Sequence, residues 1–207
     1  EAYGTAFLDD YAFTVDALIS LFCATGNEKY LAAAERFTDT CFANFYSEEK
    51  GLFYYNHKKD EELIAKNFEV SDNVIPASNS QMALNLQNLY ALTGKALYEE
   101  TAKKMMGRMR TEIKGMLPSH SNWALAALRE NFAFYEICVV GKDVDEFRKA
   151  CSEHYHPGAI FVYSKTASDI ALLKGRHKPG ETLVYVCSDR SCKAPVKTIE
   201  EAFEQIP

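Results

Sequence analysis

Residues 7–30, "FLDDYAFTVDALISLFCATGNEKY", lie over residues 75–98, "IPASNSQMALNLQNLYALTGKALY", without a gap. Leu18 falls on Leu86, Leu21 on Leu89, Thr25 on Thr93, Gly26 on Gly94 and Tyr30 on Tyr98. In each copy a run of apolar residues at helical spacing ends in Thr-Gly, and a second run begins at once. Glycine just past a helix takes the left-handed conformation that stops it, so each copy predicts helix, tight turn, helix. Such a repeat predicts stacked helical hairpins, because one hairpin cannot bury its apolar face alone.

The two helices of each hairpin differ. The first of each pair, Leu8 to Ala24 and about Ser80 to Leu92, is apolar on several faces. The second carries a single stripe: Tyr30, Ala34, Phe37, Cys41 and Phe45 in one copy, and Tyr98, Ala102, Met105, Met109 and Ile113 in the other. A helix apolar all round is buried on both sides, while a one-stripe helix faces water. That pattern predicts an inner and an outer ring, a mainly α architecture that is part of an α/α toroid.

A third, divergent copy starts at "SHSNWALAALRE" (119–130), where Ala124-Leu125 aligns with Ala83-Leu84. Beyond it the pattern changes. "YEICVVG" (135–141) and "GAIFVYS" (158–164) read as short strands flanking a charged helix from Val144 to Tyr155, and "TLVYVC" (182–187) adds another strand. The expected division is therefore 1–134, the helical hairpins of a partial toroid, and 135–207, a small α/β segment and a C-terminal tail packing on the toroid.

The totals agree with a folded globular chain. It has 207 residues, 47% of them hydrophobic and 25% charged, and a net charge of −6. Nucleic acid and anionic lipid need clustered positive charge, which is missing here, so neither is an expected partner. No apolar stretch approaches the roughly 20 residues that span a bilayer, and no charged-then-apolar signal opens the chain at Glu1. Cytoplasm is the default expectation. Cys23, Cys41, Cys138 and Cys151 stand in apolar, periodic contexts, where cysteine is usually a small buried hydrophobe.

Helical hairpins alternate direction, so all inner helices start at one rim. Asp9-Asp10-Tyr11, Ser78-Asn79-Ser80 and Ser119-His120-Ser121 occupy equivalent places at three such starts. The long connection from about Ser47 to Ile75 reaches the same rim, with an expected hairpin in "LFYYNHKKDEELIAKNFEV" (52–70), and brings Phe53, Tyr54, Tyr55 and Asp72. Ser78, Ser119 and Asp9 are natural helix N-caps, since their oxygens accept from free N–H groups. Asp10, Asn79 and His120 stand one residue further in. Glycoside chemistry needs two carboxyls facing across a sugar, roughly 5–10 Å apart. The candidate catalytic pair is Asp10 with Asp72, and the candidate ligand-binding set is Asp9, Tyr11, Tyr54, Ser78, Asn79, Ser80 and His120. Trp123, one turn inside the third helix, is expected in the core.

"FLDDYAFTVDALISLFCATGNEKYL" (7–31), "GLFYYNHKKDEELIAKNFEVSDNVIPASNSQMALNLQNLYALTG" (51–94) and "YVCSDRSCKAP" (185–195) resemble, in order and spacing, the last part of a family that joins an N-terminal thioredoxin-like domain to a six-hairpin α/α toroid. It includes bacterial YyaL-type proteins and the animal spermatogenesis-associated thioredoxin-like protein. The resemblance implies the scaffold shared with N-acylglucosamine 2-epimerases and six-hairpin glycosidases, which bind sugars at the inner-helix rim. Two departures matter. Asn73 and Ser78 stand where family members usually have glycine, and neither the thioredoxin-like domain nor its Cys-x-x-Cys is present. The chain therefore looks like a C-terminal fragment with about half the toroid, expected to self-associate as a symmetric dimer because inner-helix faces lose their cover.

In the tail, Cys187 and Cys192 leave two readings open, a disulfide or part of a metal site. A structural zinc needs four ligands, and only His154 and His156 are further candidates, so no metal or cofactor is expected. By the resemblance, the tail packs back on the toroid or offers thiols to the thioredoxin-like domain. The leading expectation is a carbohydrate-related rim that binds a sugar or polyol, with epimerase- or glycosidase-like chemistry. The alternative is a non-catalytic scaffold presenting partners to that domain.

Overall fold

The structure, a computed structural model, describes residues 6–59, 67–153 and 156–206. The described chain divides into two compact units. One lies within Glu1–Ile19, Lys29–Tyr90 and Lys95–Leu128, and the other within Ser20–Glu28, Ala91–Gly94 and Arg129–Pro207. Among the described residues no helix is long and apolar enough to cross a membrane.

The helical hairpins are present. Helices α1 (Leu8–Thr25) and α2 (Glu28–Asn44) form the first, and α3 (Ser78–Thr93) and α4 (Ala96–Gly115) the second. Gly26 and Gly94 sit at φ +68° and +69°, and the Gly26 N–H donates to the Phe22 carbonyl at 2.7 Å, closing the last turn of α1. A 3₁₀ turn, Leu117–His120, leads into α5 (Ser121–Asn131).

The three first helices are not equally buried. Helix α3 is enclosed from Ser78 through Leu86 and again at Leu89 and Leu92. Helix α1 instead buries one stripe, Leu8, Ala12, Val15, Ile19 and Phe22, at helical spacing, and leaves Leu21 43% exposed. Helix α5 buries Trp123 and Ala126 but leaves Leu125 and Leu128 each 52% exposed. An apolar sequence face marks what a helix is able to bury. How much it buries depends on its neighbours. The second helices keep their stripes, with Ala34 and Cys41 buried in α2 and Tyr98, Ala102, Met105 and Met109 in α4.

The loop after α2 makes a two-residue ladder, β1 (Tyr46–Ser47) with β2 (Leu52–Phe53). The expected hairpin over 52–70 falls partly on 60–66, outside the described residues. At its described ends the Tyr55 N–H donates to the Asn67 carbonyl at 2.8 Å, and the Tyr54 and Phe68 rings stack with centroids 4.5 Å apart.

In the second unit β3 (Tyr135–Val140) runs parallel to β4 (Ala159–Ser164), joined through α6 (Val144–Ser152). On its other side β3 pairs antiparallel with β5 (Leu183–Ser188), which turns into β6 (Ser191–Cys192), giving the order β4-β3-β5-β6. Helix α6 ends at Ser152, and Tyr155 lies outside the described residues. Alternation sorts the side chains. Ile137, Val139, Tyr163, Val184 and Val186 pack with Val144 and Cys151 of α6 and with Ile199 and Ala202 of α7 (Ile199–Glu204). The opposite face of β3 carries Glu136 and Cys138, register partners of Cys187 and Tyr185. Cys41, Cys138 and Cys151 are buried and free, as a small-hydrophobe role requires, and Cys23 is half-buried and free. Burial pushes the Cys23, Cys41 and Cys138 thiols up to about 12.

Glu136 has a consequence for stability. It is buried, its Oε2 has no hydrogen-bond partner among the described residues, and burial together with the nearby Asp189 charge pushes its carboxyl up to about 7 despite Arg176 and Arg190. A folded-state value above the unfolded one means that the folded state holds the proton more tightly. Its contribution is then fully present below the unfolded value of 4.5 and is lost as pH rises through about 7. Denaturant melts at pH 5 and pH 8 should show the chain losing roughly 2 kcal/mol over that window, with the loss removed by Glu136→Gln. Equal pH dependence in chain and variant would refute this.

Candidate functional site

In the first unit one loop strings together three helix starts. At α1, the Leu8 N–H donates to the Tyr55 carbonyl at 2.9 Å, and the Tyr55 hydroxyl donates to Asp9 Oδ2 at 3.1 Å. The Phe7 and Tyr55 rings stack at 5.1 Å. At α3, the Asn79 side chain pairs on both edges with the Phe53 backbone: Nδ2 donates to the carbonyl and Oδ1 accepts from the N–H, each at 2.8 Å. At α5, the Trp123 Nε1–H donates to the Val70 carbonyl at 2.8 Å, and Trp123 is fully buried.

The carboxylates are arranged around the same starts. Asp72 Oδ1 accepts from the Ala77 N–H at 2.9 Å and from the Ser80 hydroxyl at 2.8 Å, while Oδ2 accepts from the Asn122 N–H at 2.8 Å. One side chain thus caps α3 and α5 together. The Ser80 hydroxyl also accepts from Asn122 Nδ2 at 3.1 Å, joining the two starts by side chains as well. Glu69 Oε2 accepts from the Ser78 N–H at 2.9 Å. Free N–H groups at a helix start attract negative charge, which explains why two loop acids gather there.

Sequence reasoning placed the caps differently. Ser78 does not cap α3: it is fully buried, and its hydroxyl has no partner among the described residues. The acceptors come from Glu69 and Asp72, several residues upstream. At α1 the reach-back belongs to Asp10, whose Oδ2 accepts from the Phe7 N–H at 2.9 Å, the acid half of a capping box. Asp9 Oδ1 accepts from the Asp10 N–H at 2.9 Å. Ser119 serves through its backbone, its carbonyl accepting from the Asp72 N–H at 2.8 Å.

The nominated residues fall into two groups. Asp9, Asn79, Ser80 and Asp72 are tied to the loop or to one another as described. Tyr11 packs on Phe37 and Phe45, and Tyr54 on Phe68. His120 is buried, and its Nδ1 sits 2.9 Å from the Met116 carbonyl, which accepts only, so Nδ1 carries the proton. Asp10 and Asp72, the pair nominated for proton transfer, share no hydrogen-bond partner among the described residues. Each already serves a helix start.

Two participants had no individual sequence signal strong enough to nominate them, Glu69 and Asn122, while Tyr55, expected at the rim among the loop aromatics, enters through its hydroxyl as well as its ring. Glu69, Asp9 and Asp10 all lie near the Tyr55 hydroxyl. Burial, with the Asp9 hydrogen bond and these charges, pushes that hydroxyl up to about 12. A readable signal did exist for Gln81 and Asn85, two amides one turn apart in an apolar helix. They bond to each other at 3.0 Å, and Asn85 Nδ2 donates to the Ala12 carbonyl at 2.7 Å, linking α3 to α1.

The arrangement offers acceptor oxygens, amides and aromatic faces on one loop and three helix starts, which suits hydrogen bonding to hydroxyl groups and stacking on apolar ring faces. Among the described residues no group of three His, Cys, Asp or Glu side chains is placed to hold a metal ion. In the second unit Cys187 and Cys192 form a disulfide, while His156 stacks on Phe203 and His154 lies outside the described residues.

No protein-family model matches the chain. It is similar to the uncharacterized protein B0495.5 of Caenorhabditis elegans, at 25% identity over 96% of this chain and 28% of that protein. It is also similar to human spermatogenesis-associated protein 20, at 21% identity, and to the rat protein of that name, at 24%, in both cases over 92% of this chain and 26% of the relative. The chain thus spans little more than a quarter of the length of these curated relatives.

Proposed function

We propose that the loop and helix starts of the first unit bind a sugar or similar polyol, on a scaffold that is part of a six-hairpin α/α toroid. The observation that supports the reading is the meeting of Tyr55, Glu69 and Asp72 of one loop with Asp9, Ser80 and Asn122 at three helix starts, beside the Tyr54–Phe68 and Tyr55–Phe7 ring stacks. Sugars present hydroxyl edges and apolar faces, and this set answers both. The similarity to longer proteins supports a reading in which the chain works within a larger protein. Whether that protein carries the thioredoxin-like domain of the resemblance is part of the same proposal.

Asp10 is the residue to test because it is exposed and its replacement spares the buried network. A thermal-shift screen against mono- and disaccharides, with Asp10→Asn alongside, reads binding directly, since a ligand that binds only the native state raises its melting temperature. A sugar-specific rise, lost in Asp10→Asn, is the expected result. No rise with any saccharide would remove the proposal. It would favour the scaffold reading, in which partners are presented to a thioredoxin-like domain and for which the exposed Cys192 end of the disulfide speaks.

A further inference from the structure

Strands β3, β5 and β6 place Glu136, Cys187 and Cys192 in one row, because Glu136 is the register partner of Cys187 and Cys187 of Cys192. Directly opposed residues share a sheet face with Cβ atoms about 5 Å apart. The connection from β5 to β6 is Asp189-Arg190, both at positive φ, 49° and 63°, the two-residue hairpin turn that fixes this register. Cys187 is 1% exposed, whereas Cys192 is open to solvent.

Arg176 spans the disulfide. Its Nη1 lies 2.8 Å from the Cys187 sulfur and its Nη2 3.0 Å from that of Cys192. Tyr185 places Arg176 there twice: its hydroxyl donates to the Arg176 main-chain carbonyl at 2.7 Å, and its ring lies 5.2 Å from the guanidinium carbon. A neutral disulfide sulfur is a weak acceptor that gains little from two charged donors. A thiolate gains much more, since hydrogen bonds between ionised partners are the strong ones. The same contact therefore matters most when the bond opens.

We propose that Cys187–Cys192 is a thiol–disulfide exchange site, in which the exposed Cys192 sulfur takes the attack of an incoming dithiol and Arg176 holds the Cys187 thiolate that leaves. In the first step the attacking thiolate forms a bond to the Cys192 sulfur, the Cys192–Cys187 bond breaks, and its electron pair goes to Cys187. In the second step the other thiol of the dithiol attacks its own sulfur in the mixed disulfide and releases Cys192 as a thiolate. The dithiol ends as a disulfide, oxidised by two electrons, and the protein pair ends reduced. The two protons given up by the dithiol balance those taken up by the cysteines. Glu136, across the strand, relays one of these protons, giving its own to Cys187 and taking one of the dithiol's in return. The groups around that carboxyl are Arg176, Arg190, Asp189 and the thiol of Cys138, with Cys187 facing it across the strand. The proposal stands apart from sugar binding, which uses the other unit.

The test follows reduction of the oxidised full chain by dithiothreitol at pH 7, quenched in acid, alkylated and read by mass spectrometry of the peptide that carries both cysteines. The native pair is expected to reduce at least as fast as the same pair in urea, where Arg176 no longer spans it. Arg176→Gln is expected to slow the native reaction about tenfold, because a leaving thiol of higher pKa departs more slowly. The rate divided by the dithiol's thiolate fraction should step near pH 7 in the parent and run flat in Glu136→Gln. A native pair that dithiothreitol does not reduce, or one that reduces only after unfolding, overturns the proposal. So does a folded Arg176→Gln chain with the parent's rate. The urea comparison decides the matter even if that variant does not fold.

Discussion

Asp72→Ala is expected to destabilise the protein by about 3–4 kcal/mol, the loss of three bonds to one ionised acceptor at the starts of two helices. The Ala77 and Asn122 N–H groups would lose the partner they have at 2.8–2.9 Å, and the Ser80 hydroxyl would be left with the Ala77 carbonyl at 2.8 Å as its acceptor. For a chain of this size that is roughly a 10 °C fall in melting temperature. Asp72→Asn should recover little, because an amide can offer an oxygen to one helix only while turning its own N–H groups toward the donors of the other. Asp10→Asn, at an exposed position, should move the melting temperature by less than a quarter as much. Urea melts of the three variants measure this, and an Asp72→Ala chain within 1 kcal/mol of the parent would show that the caps are not holding the helix starts. The result also bears on function. A loss of ligand response in an Asp72 variant counts as evidence about chemistry only after this structural cost is subtracted, whereas Asp10→Asn, which keeps an oxygen for the Phe7 N–H, carries little of it.

Gly26→Ala and Gly94→Ala are expected to differ sharply although the two glycines are equivalent in the repeat. Both occupy the left-handed region, so an alanine costs about 1–2 kcal/mol at either site from backbone strain alone. At Gly26 the new Cβ would press on the Tyr163 carbonyl of β4, backbone that cannot step aside. At Gly94 it would meet the Arg190 guanidinium at 2.6 Å, the far end of a flexible side chain. Overpacking against fixed atoms adds roughly 1–3 kcal/mol, so Gly26→Ala should cost about 3–4 kcal/mol and Gly94→Ala little more than the strain. Thermal and urea unfolding of the pair test it. Equal losses would mean that the turn, and not the packing on β4, sets the price.

Most of the helical architecture was legible in the sequence because its causes are local. Apolar periodicity places a helix over a few turns, and a Thr-Gly step ends it through the conformation of one residue. The hairpins around Gly26 and Gly94 and the strands over 135–140, 159–164 and 183–188 therefore stand where the sequence puts them, and Trp123 lies in the core as its place in α5 suggests. The meeting of three helix starts on one loop also follows from hairpin direction and loop length, which brought Asp9, Asn79, Ser80 and Asp72 into view together.

What the sequence left undecided depends on atoms far apart along the chain. Ser78 reads as an N-cap by its type and position, yet Glu69 and Asp72 take the helix N–H groups, because the loop brings charged acceptors that outcompete a hydroxyl. Asn79 pairs with Phe53 across 26 residues, and no local pattern anticipates that partner. Helix α1 is as apolar as α3, but only packing settled that α3 is enclosed and α1 buries a single stripe. In the tail, spacing alone left a disulfide and a metal site both open for Cys187 and Cys192. The register of β3, β5 and β6 put Glu136 beside the pair, and the fold of 165–182 brought Arg176 over it. Local propensity fixes which elements form. The identity of each buried polar partner is fixed by register and packing, since only these bring charges from distant segments within hydrogen-bonding reach.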